Sequence, residues 1–211
     1  MSKKLRDSQW DRYGVIENML RNVKIPRMAK IAQKFDNKRI EDIPAAIRRE
    51  LGRPEIAERI KPGSSIAITV GSRGITNIAL ITREVVRMVK ELGGKPFIIP
   101  AMGSHGGGTA EGQRQMIEGY GVTEEYIGAP IKSSMEVKLI GQTEDGKPTY
   151  IDKHAAEADG IIVMGRVKPH TAFRGEYESG LMKMMAIGLG KHKGAEVCHA
   201  QGFKKMAHNV T

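Results

Sequence analysis

Cysteine, aromatic residues and long apolar runs are all scarce in this sequence of 211 residues. The single cysteine, Cys198, excludes an intrachain disulfide and any zinc or iron–sulfur site built from several cysteines. No apolar run approaches the roughly 20 residues that a transmembrane helix needs. The N-terminal residues 1–7 are charged and lack the apolar stretch of a secretory signal. These absences predict a soluble, cytoplasmic protein without a membrane segment.

The positive charge of the sequence is confined to its two ends. The formal net charge is +10, of which residues 1–62 carry +7 and residues 191–211 carry +3, so that the region between them is neutral. Aromatic residues make up only 5% of the chain, and neither basic end contains a nucleic-acid recognition motif. We therefore interpret the basic ends as solvated helix faces and expect no nucleic-acid partner. Residues 1–62 are expected to form a basic segment packed on a domain of residues 63–211.

Apolar runs of strand length alternate with helical patterns along most of the sequence. The predicted strands are at residues 65–70, 96–100 and 160–164, with two more linked by a turn within 131–151. The predicted helices are at residues 43–51, 77–92 and 110–120. Because the three separate strands are apolar throughout, we expect them to be buried. The pattern predicts a Rossmann-like α/β fold, with a mostly parallel sheet and helices on both faces.

Each of the three separate strands runs into a loop rich in glycine and polar residues. Ligands of open parallel sheets bind beyond the carboxyl ends of the strands. In the first loop, Ser72 and Arg73 could bind an anion such as a phosphate. The alternative is that the loop is a plain turn whose arginine faces solvent. His105 lies in the second loop and His170 in the third. Two imidazoles facing one pocket are suited to acid/base catalysis, and the alternative is two unrelated loop histidines.

Lys183 is isolated in an apolar, methionine-rich segment, residues 181–190. Burial would favour its neutral amine, which is a nucleophile. The alternative is a helix whose lysine extends to solvent over a methionine-lined core face. Cys198 and His199 follow and offer a thiol and an imidazole, both of which can bind a metal. The other histidines match no pattern and are expected at the surface: His154, His192 and His208.

Taken in order, these segments resemble the N-terminal domain of the nickel-dependent lactate racemase family. The resemblance runs from about residue 63 onward, with the matching segments Gly103-Ser104-His105, Lys168-Pro169-His170, Ser179-Gly180-Leu181-Met182-Lys183, Gly188-Leu189-Gly190 and His199. It implies a racemase or epimerase of a 2-hydroxy acid. The family transfers hydride to a nickel-pincer nucleotide, Ni pyridinium-3,5-bisthiocarboxylic acid mononucleotide.

The resemblance also implies a role for each matched residue. Lys183 matches the lysine that carries the cofactor through a thioamide, and His199 matches the histidine that supplies the fourth nickel ligand. His105 and His170 match the two catalytic histidines. Arg73 lies where the family has a phosphate-contacting arginine, and we assign Ser72 beside it to cofactor binding as well.

The sequence departs from the family pattern in ways that bear on the substrate. The acidic residue that often precedes the phosphate-contacting arginine is absent, with Val70-Gly71-Ser72 there instead. The Ser-Gly-Gly-x-Lys motif appears as Ser179-Gly180-Leu181-Met182-Lys183, and the stretch from His170 to Lys183 is longer. We therefore expect a paralogue that acts on a 2-hydroxy acid other than lactate. Family members continue into a second domain that closes over the cofactor, so the chain is expected to be truncated before it and incomplete as an enzyme. The alternative function is a non-catalytic nucleotide- or phosphate-binding module.

Overall fold

The computed structural model describes residues 14–24, 26–36, 38–72, 74–200, 202 and 205–210. These residues belong to two compact units, the first ending at Arg39 and the second beginning at Ile40. The first unit contains helix α1 (Val15–Leu20). In the described parts of the chain, no helix combines the length and apolar character that crossing a membrane would require.

The second unit contains alternating helices and strands. Its strands are β1 (Ser65–Val70), β2 (Lys95–Pro100), β3 (Val137–Gln142), β4 (Pro148–Asp152) and β5 (Gly160–Ile162). Its α-helices are α2 (Ile43–Leu51), α3 (Pro54–Ala57), α4 (Ile78–Glu91), α5 (Ala110–Glu118), α6 (Glu124–Ile127), α7 (Lys153–Ala156), α8 (Leu181–Lys183), α9 (Lys191–His199) and α10 (Met206–Asn209). The described residues of this unit also include a 3₁₀ turn (Gly106–Gly108) and a π-helical segment (Met184–Leu189).

Three parallel strands form the central sheet in the order β2-β1-β5. Ser65 aligns with Lys95 on one side of β1, and Ile66 aligns with Gly160 on the other. Strands β3 and β4 form a separate antiparallel hairpin. The structure therefore confirms the predicted α/β fold with a parallel sheet flanked by helices, although the sheet is small.

The side chains of β1 explain why both faces of the sheet are covered. Ile66, Ile68 and Val70 pack on one face with apolar side chains of α4. Ala67 lies on the opposite face, in a cluster that includes Leu189 of the π-helical segment. Because alternate residues of a strand point to opposite faces, a strand buried on both faces must be mostly apolar, as β1 is at residues 66–68 and 70.

Strand β5 is shorter and less buried than we predicted. The regular pairing of β5 with β1 ends at Ile162, because the backbone of Met164 bonds to a side chain of β1 instead. The Thr69 hydroxyl accepts from the Met164 nitrogen at 2.8 Å and donates to the Met164 oxygen at 3.2 Å. Ile161 is 37% exposed. The predicted strand is confirmed at residues 160–162, but its extension to 164 and its full burial are wrong. The burial fails because β5 lies at the sheet edge, where neighbouring elements cover it only in part.

Candidate functional site

A cavity of about 380 Å³ lies beyond the carboxyl ends of β1 and β2. Five residues singled out from the sequence line it: Ser72, His105, His170, Lys183 and His199. Arg73, the sixth, lies outside the described residues. The fold thus gathers side chains from four separate segments of the chain into one space, as expected for the ends of parallel strands.

His105 is held by the loop that follows β1 and by helix α5. The Ser72 Oγ lies 2.5 Å from the His105 Nδ1, which restrains the imidazole ring. The Tyr120 hydroxyl in turn donates to the Ser72 carbonyl at 2.6 Å. The buried amide of Gln113 donates to the carbonyls of Gly103, at 2.8 Å, and His105, at 3.1 Å. Ser72, which we assigned from the sequence to cofactor binding, therefore contacts His105, and the sequence analysis did not predict this contact.

His170 lies in a loop whose ends are joined by a bridge between Lys168 and Ser179. The Glu178 carboxylate accepts a hydrogen bond from the His170 backbone nitrogen at 2.6 Å. The imidazole stacks on the Phe173 ring with 4.1 Å between centroids. The Ala172 backbone nitrogen donates to the ring Nδ1 at 3.1 Å. These contacts fix both the position of the ring and which of its nitrogens faces the cavity.

Lys183 ends helix α8, directly before the π-helical segment. Its Nζ lies 3.0 Å from the His170 Nε2, and the contact is partly buried. The amine therefore points into the cavity and does not extend to solvent. The next turns pack closely on the end of β2: a Cβ at Gly188 would lie 2.9 Å from the Ala101 oxygen. Glycine at this position allows the segment after Lys183 to sit against the sheet.

His199 and Cys198 are adjacent in sequence but face different surroundings. The His199 Nδ1 lies 2.5 Å from the Ala195 carbonyl, so Nδ1–H donates and Nε2 keeps its lone pair, an arrangement typical of metal-binding histidines. The Cys198 thiol is buried, donates to the Asn209 carbonyl at 3.3 Å, and has its pKa raised by that burial. Only His199 of the pair lines the cavity.

Residues 17–210 match the family model described as the lactate racemase N-terminal domain. The chain belongs to this family. No curated protein matches it. The family predicted from the ordered motifs is thus confirmed, and the match covers the strand ends, the cavity and the segment from Lys183 to His199. Among residues that the structure describes, no three His, Cys, Asp or Glu side chains form a metal cluster.

The main buried polar feature of this lactate racemase N-terminal domain is one that the sequence did not indicate. Lys191 is fully buried, and its Nζ lies 3.2 Å from the Asp152 Oδ2, which is also fully buried. The amine also donates to the carbonyl of Pro100, at the end of β2, and to the Gln113 side-chain oxygen. Burial lowers the pKa of Lys191, and Asp152 opposes that effect. Lys191 therefore links the His105 loop to the helix that carries His199.

The sequence gives no clear sign that Lys191 is buried, because it lies at the boundary between the apolar segment of residues 181–190 and the polar residues His192 and Lys193. The backbone φ of Lys191 is 57°, a left-handed value rare for a residue with a side chain. His192 and His208 are exposed, as expected from the sequence. His154, expected at the surface, is half-buried.

The titration of His170 tests the electrostatics of the cavity. Burial lowers its pKa from the ordinary 6.5, the positive charges of Lys183, Lys168 and Arg174 lower it further, and Glu178 opposes them. We expect an NMR titration of the ring to give a midpoint below 6.5, and Lys183→Met to move it upward. The unfolded chain then binds the proton more readily, so the His170 contribution to stability falls as the pH drops below about 6.5. A midpoint at or above 6.5 would contradict this.

Proposed function

We propose that this domain binds a nickel-pincer nucleotide and racemises or epimerises a 2-hydroxy acid. The observation that carries the proposal is the shared cavity, in which Lys183, His199 and the two loop histidines meet. Membership of the lactate racemase N-terminal domain family supports the same activity.

The donor set of the cavity fits the cofactor. The Lys183 amine, partly buried and facing the cavity, is the group that would carry it covalently. His199 would supply one nickel ligand, because its Nδ1–H is engaged by the Ala195 carbonyl and imidazole is a good ligand for nickel. When bound, the cofactor supplies hydride transfer, which amino-acid side chains cannot provide.

The two loop histidines would manage the proton of the substrate hydroxyl. A racemase needs acid/base groups for both faces of one carbon, and His105 and His170 enter the cavity from different loops. The Ser72 hydroxyl can donate to the His105 Nδ1 or accept from it, so His105 can carry its proton on either nitrogen. His170, whose pKa is lowered, starts as a neutral ring near pH 7.

We propose a 2-hydroxy acid other than lactate as the substrate, since Val70-Gly71-Ser72 stands where the family often has an acidic residue before its phosphate-contacting arginine. Ser72 of this stretch contacts His105, a residue proposed to be catalytic. A second domain of the same enzyme, on the C-terminal side, would close over the cofactor and complete the site. We assign Arg73 to the cofactor phosphate, as the resemblance implies.

The function is tested on protein purified from cells that make the cofactor. We expect nickel in the purified protein by elemental analysis, and a cofactor mass on the peptide that contains Lys183. Lys183→Arg keeps the positive charge but should carry neither the mass nor the nickel, whereas Lys193→Arg should carry both. Unmodified Lys183 in such cells would overturn the proposal and leave the phosphate-binding alternative.

A further inference from the structure

The cationic side chains of the cavity include two that the proposed function does not use. Arg166 and Lys168 line the cavity together with Lys183, and no carboxylate is among the described residues that line it. A cleft lined by charges of one sign raises the local concentration of ions of the opposite sign. The cavity is therefore suited to a negatively charged group.

Arg166 and Lys168 reach the cavity from the same side of one loop segment. They are separated only by Val167, which is 79% exposed and does not line the cavity. Lys168 forms an antiparallel bridge with Ser179, a pairing of extended backbones. Successive side chains of an extended chain point in opposite directions, so residues 166 and 168 share one direction. Their backbones are about 6–7 Å apart, a distance that two long side chains can close on one anion.

Most of the hydrogen-bond donors of this pair remain available. The Arg166 Nη1 donates to the Gly74 carbonyl at 3.5 Å, and the Lys168 Nζ donates to the Pro169 carbonyl at 3.4 Å. Both hydrogen bonds are long, and each uses one donor of a group that has five or three. Among the residues that the structure describes, neither side chain forms an ion pair with a carboxylate. Both charges are thus open to a ligand.

The pair lies beside His170, one of the two proposed acid/base groups. Lys168 is close enough for its positive charge to lower the pKa of His170. The carboxylate of Glu178 accepts from the His170 backbone nitrogen at 2.6 Å and lies 3.6 Å from Arg174, and Glu178 does not line the cavity. An anion held by Lys168 would therefore lie next to the His170 ring.

We propose that Arg166 and Lys168 bind the carboxylate of the 2-hydroxy acid substrate. The inference rests on the proposed function, in which Lys183 becomes part of a thioamide and loses its positive charge. Arg166 and Lys168 are then the described cations that remain in the cavity, and both form charge-assisted hydrogen bonds with carboxylates. The carboxylate is bonded directly to the carbon that carries the hydroxyl group. Holding it beside Lys168 therefore places that carbon close to His170.

The first test uses the full chain, purified from cells that cannot make the cofactor. Glycolate is the probe, because its hydroxyl and carboxylate are the fragment that all 2-hydroxy acids share. Glycolamide is the control probe, since it has nearly the same shape but no charge. Binding is followed at neutral pH by NMR, through the ring signals of His170. We expect glycolate to bind at least about fivefold more tightly, because hydrogen bonds to charged groups are the stronger ones.

Arg166→Gln and Lys168→Gln each remove one positive charge and keep a side chain that can donate hydrogen bonds. Arg166 is exposed and Lys168 is half-buried, so neither change disturbs the core. Each variant should weaken glycolate binding at least about fivefold and leave glycolamide binding unchanged. Lys193→Gln, which removes the same charge at an exposed position outside the cavity, should change neither. If glycolate binds no more tightly than glycolamide, or if either cavity variant binds it as tightly as the unaltered chain, the proposal is wrong.

A second measurement separates the substrate carboxylate from the cofactor phosphate, the other negatively charged group that the pair could bind. Protein from cells that make the cofactor is analysed by peptide mass spectrometry. Arg166→Gln and Lys168→Gln should carry as much cofactor mass on Lys183 as the unaltered chain does. Loss of that mass in the variants would assign the pair to the phosphate and overturn the proposal. Unmodified Lys183 in the unaltered chain, together with the expected glycolate binding, would instead refute the proposed function alone.

Discussion

Replacing Lys191 with methionine is expected to lower the free energy of unfolding by about 3–5 kcal/mol, the loss typical when one partner of a buried ion pair is removed. Methionine has a similar length but leaves the Asp152 carboxylate buried without its cation. It also removes the donor to Pro100 and Gln113. The left-handed backbone at position 191 itself costs about 1–3 kcal/mol, and these contacts offset that cost in the native protein.

Urea unfolding followed by circular dichroism measures this loss. Lys193→Met, two residues further along the same helix and exposed, is the matched control and should change stability by no more than about 0.5 kcal/mol. Adding Asp152→Asn to Lys191→Met removes the unpaired charge and should recover part of the loss. A loss below about 1 kcal/mol for Lys191→Met alone would show that the ion pair contributes far less than its burial indicates.

Replacing His199 with alanine is expected to remove nearly all of the nickel while the cofactor mass stays on Lys183. The reason is that the two attachments use different side chains: the imidazole would bind the metal, and the amine would carry the nucleotide. Loss of a side chain that only hydrogen-bonds to a metal ligand costs about 10–100-fold in metal affinity, so loss of a ligand should cost at least as much. Elemental analysis and peptide mass spectrometry on the same preparation measure both quantities.

His192→Ala is the control for this experiment, because His192 lies on the same helix, is exposed, and pairs with Glu196 at 3.0 Å. It should retain both the nickel and the mass. Nickel at wild-type content in His199→Ala would remove His199 from the metal site. Loss of the Lys183 mass along with the nickel would show that metal binding and covalent attachment depend on each other.

The main elements of the fold could be predicted because their patterns are local. The helix at 43–51 and the strand at 65–70 have the predicted bounds, since a helical pattern and a run of strand length mark them in the sequence itself. Helix α4 follows its apolar spacing and ends beside Leu92. Strand β5 was predicted too long and too buried, because its pairing ends through a side chain of β1 and its exposure depends on its place at the sheet edge.

The residues of the candidate site could also be predicted, because glycine-rich loops after strands and an isolated lysine among methionines are visible in the sequence. Their partners could not. Two contacts bring together residues that are separated in the chain: that of Ser72 with His105 and that of His170 with Lys183. Cys198 is buried, whereas its neighbour His199 faces the cavity. The spacing of residues in the sequence does not show which side chains will meet or which way each one will point.

By itself, then, the sequence determined the α/β class, the family and the residues that reach the cavity, since strand periodicity and ordered motifs depend only on neighbours along the chain. The tertiary structure decided which nitrogen of His170 faces Lys183. It also decided that Lys191, at the end of an apolar segment, is fully buried. The first follows from the folding of one loop, and the second from packing between elements far apart in sequence, since the Lys191 amine bonds to Pro100 and Gln113.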